Sequence, residues 1–251
     1  MYKLLDTIKL IRIFWMRIQT KKIPLMNLNF QQSAIIAPHP DDEVLGCGGL
    51  ITRLAEKGNA PHVIIMTGGE NSHHGCCTLS KEDIVQARHR LTIQAAELLG
   101  VPTTHIHCLH YPDGEITLAN TEKTVKLRTL LQELGCDAVF IPHWGEGWSD
   151  HTRTAQIIKK MNLDNVELYE YCVWMWYYNI WRLDWPNARQ LRMTDHECSL
   201  KRKAVDKYVI PLAPCGRPWS GKLPGIFLKA NRWNRELYFK TDGQPDFMEK
   251  R

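Results

Sequence analysis

Little in this chain marks it for a membrane, for secretion or for nucleic acid. A spanning helix needs about 20 uninterrupted apolar residues. The most apolar stretch, at the N-terminus, is broken by Asp6, Lys9, Arg12 and Arg17 and lacks a small-residue cleavage site. The body has no Lys/Arg block and no nucleic-acid motif, and the net charge is only +5. That balance excludes a nucleic-acid partner and leaves a mild preference for anionic surfaces or substrates. Cysteine is not scarce, but the eight residues are scattered, with an adjacent pair at Cys76-Cys77 and no repeated finger spacing. At 251 residues and 44% hydrophobic content, the chain buries a core without disulfide staples. Reduced thiols and a cytoplasmic setting, at most at the inner membrane surface, are the expectation. Oligomeric state has no signature in the sequence.

What is present is organised around Ser33 to Leu50, SAIIAPHPDDEVLGCGGL. Ala34 to Ala37 reads as a short buried strand, stopped at Pro38-His39-Pro40, where the prolines end a ladder and force a turn. Asp41, Asp42 and Glu43 then open a helical pattern, where acidic groups suit free N–H groups and the positive dipole end. One imidazole and two adjacent carboxylates are thereby gathered at a strand's C-terminal tip, the edge where open α/β sheets bind ligands.

Imidazole nitrogen and carboxylate oxygen are ligands of zinc, and a catalytic zinc site uses three protein ligands and leaves a position for water. His39 and one aspartate supply two, which frees the other aspartate to act as a base. The distal half of such a site is Ile141 to Thr152, IPHWGEGWSDHT, after a strand-like run from Ala138 to Ile141. His151 is the expected third ligand. Asp150 beside it is the candidate to orient an imidazole or to contact the base, since ligating histidines carry such partners.

PHPDDE after a first strand with a distal DH in a later loop resembles the LmbE/PIG-L family of zinc-dependent deacetylases, which act on N-acetylglucosamine-containing molecules. Weaker echoes extend from about Ser33 to about Lys240: TGGE at Thr67 to Glu70, AAELLGV at Ala95 to Val101, YPDGE at Tyr111 to Glu115, and ELYFK near the end. The resemblance implies a Zn2+ cofactor, or another divalent metal in its place, held by His39, Asp42 and His151, with Asp41 as base. It also implies sugar contacts from Arg88 and Asp113. The implied reaction is removal of an N-acetyl group from a glycan, glycolipid or glycoside carrying N-acetylglucosamine. A deacetylase of a small N-acetylglucosamine-linked thiol precursor and a non-catalytic carbohydrate-binding relative are the alternatives. One departure motivates the last of these: the family often has an oxyanion histidine three positions before the distal ligand, and Trp148 stands there. His143 is the nearest replacement in the loop.

The rest of the chain supports an α/β reading. Helices are expected over 44–57, 81–99, 121–134 and 197–208, with glycine stops at Gly58 and Gly100, and strands over 63–66 and 104–109. Strand and helix alternating four times predict a Rossmann-like three-layer fold: a mostly parallel sheet, helices on both faces, and the active site at the C-terminal edge of the strands. His39, Glu70, Asp113 and His151 would leave that common edge. His73 and His74, an unspaced pair in a polar loop, read as solvent-exposed. His105 and His107 should share one strand face. YEYCVWMWYYNIW within Glu167 to Trp181 reads as core aromatics, with Trp174, Trp176 and Tyr177 candidates to line a saccharide groove. Arg182 to Arg192 reads as loop, and Pro211 to Pro224 as a long loop and candidate lid.

Two parts are expected: an amphipathic arm, residues 1–25, and the deacetylase-like domain, residues 26–251. Leu4, Leu5, Ile8, Ile11, Phe14 and Trp15 beside Lys and Arg describe a helix packed on its own domain or an upstream extension if translation begins at Met26. The second expectation is peripheral contact of residues 1–22 with an anionic membrane surface.

Overall fold

The structure, a computed structural model, describes residues 2–75, 78–178 and 183–241. Cys76-Cys77 and residues 179–182 of the aromatic segment lie outside the described residues. The elements in chain order are α1 (Tyr2–Thr20), β1 (Ser33–Ala37), α2 (Asp42–Glu56), β2 (His62–Thr67), α3 (Lys81–Leu98), β3 (Ile106–Tyr111), α4 (Thr121–Glu133), β4 (Ala138–Pro142), α5 (Ser149–Lys159), β5 (Glu167–Tyr171), β6 (Ala188–Arg192), α6 (Asp195–Val209), α7 (Gly225–Asn231) and β7 (Arg235–Thr241).

The seven strands form one sheet in the order β3-β2-β1-β4-β5-β7-β6. The first five in that order are parallel, while β7 runs antiparallel to both β5 and β6. Strand order reverses between β1 and β4, because the crossovers from β1 build outward to β2 and β3 before the chain returns to β4 on the other side. Such a switch point opens a crevice beyond the strand ends.

Every residue of β1, β2 and β4 is buried, which accounts for their continuous rather than alternating apolar runs. Alternate side chains still divide between two layers. Ile35, Val63 and Ile65 join a core with α2, α3 and α6, while Ile36, Ile64 and Met66 join another with α4 and α5. The expected three-layer architecture is therefore the one observed. In α2, an ideal Cβ on Gly46 would stand 2.3 Å from the Tyr171 ring, so only glycine lets the helix lie this close to the end of β5.

Three stretches differ from expectation. Residues 188–192, read as loop, form β6, the polar edge strand of the sheet. Residues 225–231, beyond the Pro/Gly-rich loop, form α7. The third strand starts at Ile106, after a short 3-10 turn over Thr103–His105. The arm is a helix with one face packed: Arg12, Ile13, Met16 and Thr20 are buried, and Ile13 and Met16 join a third cluster with Cys172, Met175 and Trp176.

Candidate active site

The turn after β1 holds the first half of the site. Asp41 N-caps α2 with φ 116°, a left-handed conformation that costs a non-glycine residue of order 1–3 kcal/mol. Its neighbours hold it there. The Asp41 N–H donates to Glu43 Oε2 at 2.9 Å, and Glu43 Oε1 accepts from the Tyr208 hydroxyl at 2.6 Å, which ties the turn to α6. Arg88 Nη2 donates to Asp41 Oδ2 at 3.2 Å, and the same guanidinium donates to the Pro40 and Gly69 carbonyls. Gly69 has φ +67°, and a Cβ there would fall 2.1 Å from Arg88 Nη1, so the TGGE turn needs its glycine to admit the arginine. Arg88 is 3% exposed, and these bonds direct it to Asp41 and the turn.

The second half comes from the loop after β4. His151, in the first turn of α5, is 1% exposed, and its Nε2 lies 3.2 Å from Asp42 Oδ2. His39 Nδ1 reaches the same oxygen at 3.3 Å. One ligand atom from each of the three lies within 4.8 Å of the others. Asp42 therefore sits between two imidazole edges from opposite sides of the switch point.

The far sides of both rings decide what those edges present. His39 Nε2 lies 3.1 Å from Asp113 Oδ1 and 3.4 Å from Asp150 Oδ2. A proton on that nitrogen leaves a lone pair on Nδ1. His151 Nδ1 lies 3.3 Å from Glu146 Oε2, at ion-pair distance without hydrogen-bond geometry, which favours the lone pair on Nε2. Two lone pairs then face one carboxylate oxygen, an arrangement that repels unless a proton or a metal ion sits among them. This donor set and its carboxylate backing fit a divalent metal of the zinc class.

The electrostatics show the same demand for positive charge, which protons on the two rings and a bound metal ion would meet in competition. Burial alone would lower the His39 imidazole, yet bonds to Asp113, Asp150 and Asp42 carry it well above its ordinary value. His151 is likewise opposed by burial, but Asp42 and Glu146 bring it up to about 9. Burial opposes ionisation of Asp42, and His151 and His39 reverse this and hold it below the usual carboxylate range. Burial pushes Asp41 well above that range, against the pull of Arg88, and pushes Glu43 up to about 7. Two adjacent aspartates thus differ in proton affinity.

Positions 34–162, just over half of the chain, match the family described as PIG-L, GlcNAc-PI de-N-acetylase. The chain belongs to the PIG-L family. The matched span runs from β1 through α5 and contains the whole constellation. No curated protein matches the chain. Among solved structures, N,N'-diacetylchitobiose deacetylase from Pyrococcus horikoshii is 24% identical with a TM-score of 0.58, over 71% of this chain and 70% of that one. The zinc-inhibited form of a teicoplanin deacetylase is 14% identical with a TM-score of 0.60, over 85% and 100%. GalB, the 4-carboxy-2-hydroxymuconate hydratase of Pseudomonas putida, is 15% identical with a TM-score of 0.59, over 86% and 97%. These structures share the PIG-L-type fold, and the last shows that the fold alone does not determine the reaction.

The remaining expected residues are placed as follows. Asp113 adjoins His39 and accepts the Asn71 N–H at 2.8 Å, while Glu70 accepts the Asp113 N–H at 2.8 Å. Asp150 approaches His39 and accepts the N–H groups of Gly114 and Ile116, so it also fastens the loop after β3. His143 does not join the three. Its Nδ1 accepts from the Gly145 N–H at 3.0 Å, and its Nε2 is 3.6 Å from Glu170. Trp148 is 48% exposed and meets Trp174 edge-on at 5.6 Å. Trp176 is buried in the third core cluster, whereas Tyr177 is half-buried. His73, expected in solvent, is buried against Trp219 of the 211–224 loop, with ring centroids 5.3 Å apart. That loop packs on the turn after β2.

Glu146 was missed. It is fully buried, and its carboxylate accepts the N–H groups of Val173, Trp174 and Met175 besides backing His151. An acid inside the Gly/Trp loop was its only signal.

Proposed function

We propose that the protein is a metal-dependent N-deacetylase that hydrolyses the acetamide of N-acetylglucosamine-containing glycans, glycolipids or glycosides. The observation that carries this reading is the convergence of His39, Asp42 and His151 beside a separate buried carboxylate, Asp41. In this reading His39, Asp42 and His151 hold zinc. Zinc held there would supply Lewis-acid polarisation of the acetamide carbonyl and a water whose pKa falls from 15.7 to about 7.

Asp41 takes the proton as the water oxygen bonds to the carbonyl carbon. It returns that proton to nitrogen as the C–N bond breaks, so acetate and a free amine leave. A carboxyl whose affinity for protons is raised by burial serves both transfers. Arg88 holds the Asp41 carboxylate in line. Asp113 and Asp150 fix the ring of His39, and Glu146 fixes that of His151. This assigns Arg88 and Asp113 to positioning rather than to the sugar. Both Nη groups of Arg88 and both oxygens of Asp113 are already engaged, and the half-exposed rings of Trp148 and Trp174 are better placed to stack on a saccharide face.

The deacetylases of similar fold and the family's own description support the acetamide as the bond cleaved. Acetate release and metal content, measured together across a panel of N-acetylglucosamine glycosides, lipids and thiol conjugates, test the reading. Asp41→Asn is expected to retain metal and lose about 10²–10⁴-fold in kcat. Parent-like turnover in that variant would remove the base. Full metal occupancy with sugar binding and no acetate from any compound would make the protein a carbohydrate binder instead.

A further inference from the structure

Away from the site, the C-terminal end of α1, the end of α7 and the start of β7 enclose an open cavity of about 860 Å3. Arg17, Lys21, Lys229, Arg232 and Arg235 line it around Trp233, with no acidic residue among the described residues of its wall. Some of this charge is engaged within the protein. Arg17 donates to the carbonyls of Lys229 and Ala230 at 2.9 and 3.1 Å, and Arg232 pairs with Asp206 at 3.0 Å. Arg17 Nε, Arg235 Nε and Arg235 Nη1 are buried N–H donors without a hydrogen-bond partner among the described residues. Guanidinium groups do not shed their protons in proteins, and their planar forks match phosphate oxygens. Arg17 and Arg235 also lie over the Trp233 ring, 5.1 and 5.9 Å from its centroid, and five cations gathered around one indole call for an anion.

The same helix says where the anion comes from. Leu10, Phe14, Arg17 and Lys21 recur at helical spacing and share one side of α1. Leu10 is 41% and Phe14 67% exposed, and Ile11 and Ile18 beside them are 59% and 37% exposed. An apolar strip therefore runs directly into the basic cavity on the face opposite Arg12, Met16 and Thr20. No helix among the described residues is long and apolar enough to cross a membrane, so the strip fits a bilayer only by lying in its surface plane, with the cations at headgroup level.

We infer that this cavity is a recognition site for the phosphate of an anionic phospholipid, with the outer face of α1 seated in the surface of the bilayer. The inference does not depend on the deacetylase reading, and its test has a binding readout.

The full chain is sedimented with phosphatidylcholine vesicles, with and without phosphatidylglycerol, at low and high salt. Binding is expected only with phosphatidylglycerol and to weaken with salt. A double Lys21→Glu, Lys229→Glu variant, altered at two exposed amines, should lose on the order of tenfold or more in partitioning. Phe14→Asp should lose a comparable amount while melting at the parent's temperature. Equal binding to both vesicle types, or undiminished binding by both variants, would overturn the inference. So would inorganic phosphate saturating the cavity while vesicles stay unbound, which would make the ligand a soluble anion. Self-association that Phe14→Asp abolishes, without vesicle binding, would also overturn it by making the strip a contact between copies of the chain.

Discussion

At the scale of single residues, the centre is a division of labour among carboxylates. Asp42 lies between two imidazoles, Asp41 leans on Arg88, and Asp113, Asp150 and Glu146 back the rings from behind. Removing a group behind a ligand weakens metal binding by about 10–100-fold. Glu146→Gln is accordingly expected to reduce zinc affinity within that range in a chelator-competition titration, and unchanged affinity would show that His151 is oriented by packing alone. The variant keeps one oxygen for the N–H groups of Val173 and Met175 and gives up the acceptor of the Trp174 N–H, so a melting curve beside the titration separates loosening of the loop from loss of the histidine's partner. His39, Asp41, Asp42 and His151 were legible in the sequence because adjacency in PHPDDE and DH makes an unusual signature. Glu146 was not, because nothing periodic singles out an acid in an irregular loop. The engagement of Arg88 by Asp41 was equally hidden, since a helical position does not reveal which carboxylate lies across the fold.

At the scale of elements, the N-terminal edges of β2 and β3 bring three histidines together. His62 and His105 stack with centroids 4.0 Å apart, and His62 Nδ1 lies 3.1 Å from His107 Nε2. Burial first, then the proximity of His105 and His107, pushes His62 from 6.5 down to about 4, and His107 is lowered for similar reasons. The folded chain therefore resists protons that the unfolded chain accepts. This contribution to stability is whole above pH 6.5 and is lost as pH falls from there toward about 4. The buried Glu43, raised to about 7, works in the opposite sense over the same pH range, so the test is a difference: in denaturant unfolding at several pH values, the parent should lose stability relative to His62→Gln as pH falls across that window. Identical slopes in parent and variant would place the effect elsewhere.

The elements also explain what the sequence hid. The parallel strands were visible because burial on both faces gives unbroken apolar runs. Residues 188–192, ARQLR, escaped because an edge strand tolerates arginines, and α7 followed a Pro/Gly-rich loop that masked its start. A pattern read from neighbouring residues also says nothing of the antiparallel return of β7.

At the scale of the whole molecule, the three-layer architecture and the edge that carries the site followed from strand and helix alternation, whereas the basic cavity joins α1, α7 and β7, whose proximity no local signal reports. If the cation binds the folded chain alone, it also stabilises it: at 100 times Kd the gain is about 2.7 kcal/mol, and for a chain of this size that is roughly 5–10 °C in Tm. Melting with zinc and after exhaustive chelation should differ by about this amount. Coincident curves would mean that the three side chains hold no metal.

The reversal of strand order between β1 and β4 places the proposed ligands on two sheet halves that are assembled by separate crossovers. Neither half alone can grip an ion firmly, so high-affinity capture must wait until distant parts of the chain have docked. Metal uptake during refolding would therefore be a late event, and its rate a clock for completion of the sheet.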